Sequence, residues 1–278
     1  MKEIYDSVSL DCSKLVTKKY STSFSLGISM LDKEIHNDIY AIYGFVRLAD
    51  EIVDSFHDFD KKDLLQKFRL DTIQAIESKI SLNPILNSFQ NVVNTYNLEW
   101  ENIELFLDSM KHDLENKKHD IDSYKKYIKG SAEAVGLMCL KVFCIGDQKS
   151  YNHLKEYACT LGSAFQKINF LRDLNSDYSV LKRVYFPDLD IEKFNDKEKA
   201  KIEKDINNEF IKALEGIKQL PRNAKQGVFL AYSYYYTLFK KIKAIPASQI
   251  LSKRIRVNNF QKFMILIKAY LKIKFSIV

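Results

Sequence analysis

The chain has 278 residues with only 8 Gly and 4 Pro, roughly a third of the share that average usage would supply. So few breakers exclude turn-rich β-sandwiches, barrels and Gly-rich nucleotide loops, and leave long helices joined by few connections. Lys and Arg outnumber Asp and Glu by 43 to 36, but the last acid is Glu215: residues 216–278 carry 13 basic residues and no acid, while the first 215 are net −6. That asymmetry implies an anionic partner for the late part of the chain.

At 46% hydrophobic and 13% aromatic, the sequence has material for a large core and is not disordered. Helical periodicity runs from end to end, with no strand pairs and no internal repeat. Asp32 is placed to cap a helix running to about Phe56, followed by one over about 60–80. Asn83-Pro84 reads as N-cap and first helical residue before ILNSFQNVVNTY, and helices over about 99–117 and from Asp122 to about Phe143 come next. A long helix is expected over about Ser150 to Asp177, then others over about 197–218, 222–243 and 249–272. The irregular stretches are 144–149, 178–196 and 244–248. No Pro/Gly/Ser-rich linker divides the chain, so the expectation is one all-α domain over residues 1–278.

Cys12, Cys139, Cys144 and Cys159 show no CxxC pairing and read as reduced thiols. Together with an N-terminus that lacks a signal-peptide apolar run, this points to the cytoplasm. The most apolar late stretch, FMILIKAYLKIKFSIV, is cut by Lys268, Lys272 and Lys274, so no transmembrane helix is expected. The five histidines, His36, His57, His112, His119 and His153, have no metal-site spacing and read as surface or loop residues.

The chemistry lies in two helices. In YAIYGFVRLADEIVD, Tyr43, Arg47, Asp50 and Asp54 share one face, and nearly every other position is apolar. In LGSAFQKINFLRDLNSD the stripe recurs as Gln166, Asn169, Asp173 and Asp177. Like charges at i, i+4 repel by roughly 0.2–0.5 kcal/mol even when solvated, and buried without a partner they cost far more or take up protons. A solvated helix face would explain either stripe alone. Two stripes with Tyr, Gln, Asn and Arg at their inner positions suit hard divalent cations such as Mg²⁺, which take one or two carboxylates plus water and phosphate oxygens.

At these residues the sequence resembles the squalene/phytoene synthase family of head-to-head prenyl-diphosphate synthases, and among them most closely the bacterial phytoene synthases. The first family motif stands as Arg47-Leu48-Ala49-Asp50-Glu51-Ile52-Val53-Asp54. The second runs from Gln166 to Asp177 as QKINFLRDLNSD and is followed by Arg183-Val184-Tyr185-Phe186-Pro187. Similarity extends from Tyr20-Ser21-Thr22-Ser23-Phe24-Ser25 through Val135-Gly136 to Tyr235 and Arg254-Ile255-Arg256-Val257, spanning about residues 12–270. Two positions depart: the first motif reads DExxD rather than DDxxD, and Ser176 stands where an acid is common. Both outer aspartates remain.

The resemblance implies a helical bundle of the isoprenoid synthase type around a central apolar cavity that takes two allylic prenyl diphosphates. It implies Mg²⁺, with Mn²⁺ as a substitute, on Asp50, Asp54, Asp173 and Asp177 with Asn169. Arg47, Arg183, Gln166, Ser21, Ser23 and Phe24 would bind substrate, and Tyr43, Tyr185 and Tyr235 would assist the chemistry beside the aspartates. The expected reaction joins two geranylgeranyl diphosphates to phytoene through a cyclopropylcarbinyl diphosphate. The alternatives are farnesyl-using squalene, dehydrosqualene or presqualene diphosphate synthesis, with NADPH needed only for squalene, and an inactive member serving as an assembly protein. The basic late segment is expected to touch an anionic membrane, and no motif that reads nucleic acid accompanies it.

Overall fold

The computed structural model describes residues 1–115, 119–181, 183–187 and 189–275, and among them there is no β-strand. Helices α1 (Lys2–Tyr20) and α2 (Thr22–Ser29) precede α3 (Lys33–Asp54). Then come α4 (Lys61–Ser78), α5 (Pro84–Tyr96) and α6 (Trp100–Glu115). The sequence sets several of these boundaries directly. The Asn83 side chain accepts from the backbone N–H groups of Ile85 and Leu86 ahead of Pro84, and Asp60 does the same for Lys62 and Asp63. Asp32 is the N-cap of α3 by position, but its side chain makes no capping bond.

The expected helix from Asp122 to Phe143 is three pieces. It starts two residues earlier, at a capping box between Asp120 and Ser123. It then runs as α7 (Ile121–Ile128), a π-turn over Lys129–Glu133, and α8 (Ala134–Phe143). Gly130 in that π-turn packs so tightly on α6 that a Cβ would lie 2.2 Å from the Leu105 carbonyl oxygen. Helix α9 (Gln148–Ser176) ends in a second π-turn, Asp177–Leu181, and a 3₁₀ turn follows at Ile191–Lys193. Helices α10 (Asp196–Gln219) and α11 (Arg222–Lys243) follow the expected spans. The helix expected over 249–272 is instead a four-residue α12 (Ala247–Ile250), an extended segment, and α13 (Asn259–Lys274) with its own capping box at Asn258.

Two cores form. One joins α3, α5 and α6, where Phe45 stacks on Phe89 at 3.9 Å and meets Phe106 at 5.5 Å. The other joins α9, α10 and α11 around Ile168, Phe210 and Phe239. A cavity of about 780 Å³ lies between them, lined by residues of both. No described helix is long and apolar enough to cross a membrane.

Candidate active site

Every side chain singled out from the sequence lines this cavity: Ser21, Ser23, Phe24, Tyr43, Arg47, Asp50, Asp54, Gln166, Asn169, Asp173, Asp177, Arg183, Tyr185 and Tyr235. The helical spacing of α3 turns Asp50 and Asp54 inward on one wall, and α9 with the π-turn that follows it presents Asp173 and Asp177 on the other. Asp177 is the first residue of the π-turn, where its N–H bonds to both Asp173 and Leu174 carbonyls. Such one-turn π insertions re-aim a side chain without ending the helix.

Burial, reinforced by neighbouring carboxylates, takes Asp50 and Asp177 out of the ordinary carboxyl range. Burial first, and the Asp54 carboxylate second, push Asp50 up to about 7 against the pull of Arg47. Burial and the Asp173 and Asp54 charges push Asp177 up to about 7 against Arg183. Asp54 and Asp113 thus act on both of these groups, and the two walls form one electrostatic site.

Guanidinium groups partly offset this charge. Arg183 is buried, 3.1 Å from Asp54 and 3.4 Å from the Tyr185 hydroxyl, so it is no solvated loop arginine. Arg47 pairs with Glu51 and lies 3.6 Å from Asp50, with its guanidinium over the Tyr20 ring. Asp173 is gripped from two sides. Arg172 reaches it at 3.0 and 2.5 Å, and Arg254, from the extended segment before α13, at 2.6 and 3.2 Å.

Below this charged end the cavity is aromatic and apolar. Tyr235 donates to the Asn169 side-chain oxygen at 3.3 Å and stacks on Phe165 at 4.0 Å. Phe24 sits 5.3 Å from Tyr43, whose hydroxyl burial pushes up to about 12. Ser21 caps α2 by accepting from the Phe24 N–H at 3.2 Å while still lining the cavity. Tyr185 stacks on Phe170 at 4.2 Å and donates to Asp113 at 3.1 Å.

Asp113 was not singled out from the sequence. It is buried on α6, also accepts from Tyr127 at 2.6 Å, and burial raises it to about 6 with Arg183 opposing. Its signal was available: Ile103, Phe106 and Met110 set an apolar register in which position 113 carries an acid. The role of Arg254 on Asp173 was missed because it depends on a tertiary contact. His119, expected at the surface, is in a loop but buried, with its ring 4.8 Å from His112 and 5.3 Å from Tyr185; burial lowers it to about 4. The four cysteines are free, and Cys144 is buried.

Among the described residues no three His, Cys, Asp or Glu side chains converge closely enough to hold an ion by themselves. The donor set nonetheless fits Mg²⁺. Two pairs of hard carboxylate oxygens face one cavity, the Asp50 and Asp177 carboxyls raised by burial and by neighbouring carboxylates, and Mg²⁺ takes only one or two carboxylates before completing its shell with water and phosphate oxygens.

A curated relative, the 4,4'-diapophytoene synthase of Staphylococcus haemolyticus, is 26% identical over 215 residues, 75% of this chain and 73% of its own length. The presqualene diphosphate synthase of Sinorhizobium fredii is 30% identical over 169 residues, 60% of this chain and 58% of its length. A crystal structure of a dehydrosqualene synthase superposes with a TM-score of 0.80 at 20% identity, covering 97% of this chain and 98% of that one. The fold is therefore the all-α isoprenoid synthase bundle. With the squalene/phytoene synthase profile matching residues 17–261 in one stretch, the chain belongs to the squalene/phytoene synthase family.

Proposed function

We propose that this protein joins two farnesyl diphosphates head-to-head, through a cyclopropylcarbinyl diphosphate, to a thirty-carbon hydrocarbon. The observation that carries the reaction class is the pair of aspartate stripes facing across one cavity that is charged at one end and apolar beyond it. The fifteen-carbon substrate draws its support from the names of two similar proteins, since diapophytoene and dehydrosqualene are the same thirty-carbon skeleton. The geranylgeranyl pair, first in the sequence reading, becomes the competing outcome of the test.

Bound Mg²⁺, held by Asp50, Asp54, Asp173 and Asp177 with Asn169 beside them, would supply the positive charge that neutralises the diphosphates. The chain's own groups do the rest. Arg183 and Arg47 offer forked donors to a departing diphosphate, and their rigid planes suit phosphate oxygens better than a lysine would. As the C1–O bond of one substrate breaks, the electron pair leaves with the diphosphate and an allylic cation remains. The Phe24–Tyr43 and Phe165–Tyr235 ring pairs line the space that this cation would occupy, and their faces attract positive charge. The second substrate's C2–C3 double bond attacks, and loss of a proton closes the cyclopropane. The second diphosphate then leaves with its electron pair, rearrangement gives the C1–C1′ bond, and the remaining cation becomes the hydrocarbon by losing a proton or, where NADPH supplies it, by accepting a hydride. The apolar and aromatic walls beyond the charged end would limit the water that could quench either cation.

The test is incubation of purified protein with Mg²⁺ and farnesyl or geranylgeranyl diphosphate, with and without NADPH, and identification of the hydrocarbon by mass. A C30 product is expected. A C40 product alone would move the substrate to geranylgeranyl diphosphate, and no product from either would refute the reaction class.

A further inference from the structure

Helix α13 is apolar on two opposite faces. Leu266 and Ala269, with Ile265 and Ile273, pack inward against the core around α11. On the other side Phe260, Met264, Ile267, Leu271 and Phe275 follow one another at i, i+4, i+7, i+11 and i+15, a continuous outer stripe, with Phe263 at its edge. Phe260 is 72%, Phe263 58% and Phe275 66% exposed, and Leu271 43%. Contiguous apolar exposure of this kind marks a surface that meets something else.

The charge around the stripe says what. Lys268 and Lys272 flank it on α13, and there is no acid anywhere after Glu215. Beside the helix lies a groove of about 870 Å³ whose basic lining groups are Lys14, Lys18, Lys33, His36 and Lys262, again with no acid among the residues that form it. Leu26, Phe263 and Leu266 supply its apolar lining. A second copy of the chain presenting the same face would bring these cations together without a counter-charge. A surface that is greasy at its level and negative above it satisfies both features at once.

We propose that the outer face of α13, with the basic groove beside it, docks on an anionic lipid bilayer, the helix lying in the headgroup plane and its phenylalanines reaching the acyl boundary. The placement has a consequence for the cavity. Lys262 and Thr22, joined by a 2.6 Å hydrogen bond, line both the groove and the cavity, as Arg254 and Arg256 line the cavity just before α13. Docking therefore sets the cavity's rim against the bilayer. The docking rests on the face of α13 and is measured without substrate, so it stands or falls apart from the reaction.

The experiment is sedimentation of the full chain with vesicles of phosphatidylcholine alone, and of phosphatidylcholine and phosphatidylglycerol at 3:1, at about 50 and about 500 mM salt. Binding is expected to the anionic vesicles and to weaken at high salt. The double variant Phe260→Ser, Leu271→Ser should lower the partition coefficient by at least about tenfold with an unchanged circular-dichroism melt. Wild-type protein left in the supernatant with anionic vesicles would overturn the proposal. So would a double variant that binds as wild type, or one that turns a dimer into a monomer by light scattering while vesicle binding persists.

Discussion

Replacing Asp50 by Asn separates what the site does from what it costs the fold. The carboxyl of Asp50 is pushed from 3.8 to about 7 by burial, Asp54 and Asp113. Because the folded value is the raised one, the folded state holds a proton that the unfolded chain has released between those two values. Stability in this group is fully present below about 3.8, declines as pH rises, and is lost above about 7. The difference between those two values corresponds to about 4 kcal/mol if taken whole. A third of the Asp50 side chain faces solvent, and Asp54 and Asp177 share the same repulsion, so the gain on removing the charge is about 1–2 kcal/mol after solvent screening. For a chain of this size that raises the melting temperature by about 2–5 °C. The assay is thermal unfolding of Mg²⁺-free wild type and Asp50→Asn at pH 8 and pH 5. The variant should melt higher at pH 8, by a margin that shrinks to about a third at pH 5, while losing turnover at both. An equal or lower melting temperature at pH 8, or a gain independent of pH, would refute the electrostatic reading of the site.

The other predictions test its neighbours. Asp113→Asn removes one of the like charges acting on Asp50 and Asp177, so Mg²⁺ binding followed by calorimetry should move its pH midpoint downward; an unchanged midpoint would separate Asp113 from the site. Arg254→Gln frees Asp173 of one cation, and its Mg²⁺ affinity without diphosphate should rise by about threefold or more; a fall would mean that Arg254 is not a competitor. Asp54→Ala and Asp177→Ala should each abolish turnover while leaving helicity intact, and a near-wild-type rate in either would remove that aspartate from the proposed metal set. Gly130→Val should destabilise by about 3 kcal/mol, because its Cβ would collide with the Leu105 carbonyl oxygen, and an unchanged melt would show that the α6 contact yields.

The sequence carried most of the site because the site is built on helix periodicity. Residues four apart on α3 and on α9 must face one way, so Asp50 with Asp54 and Asp173 with Asp177 were legible as stripes before any packing was known. Arg183 and Tyr185 came from the resemblance, and the structure adds what they touch. The apolar register of α6 marks Asp113 as an inward acid, but its partners, like the Arg254 contact, are tertiary facts: nothing local tells that acid that two phenols and a guanidinium will surround it. The π-turns escaped notice for a related reason. One inserted residue in Lys129–Glu133 or Asp177–Leu181 leaves composition and apolar spacing almost unaltered, and only the shift of register in three dimensions exposes it. The fused helix expected over 249–272 failed because Ser252 to Asn258 contain no Gly or Pro to announce an extended segment.

The two larger hydrophobic cores are joined through Val228, and beyond that contact the cavity lies between Phe45's cluster and Phe210's. The bundle is thus folded around a missing middle layer. On the proposed reaction, a hydrocarbon chain that enters takes the place that interior side chains hold in other helical proteins, and it is packed by both halves at once. Each departure of an apolar molecule then reopens a seam through the centre of the molecule. Tight retention of a hydrocarbon and rigidity of the bundle are, in this architecture, a single property.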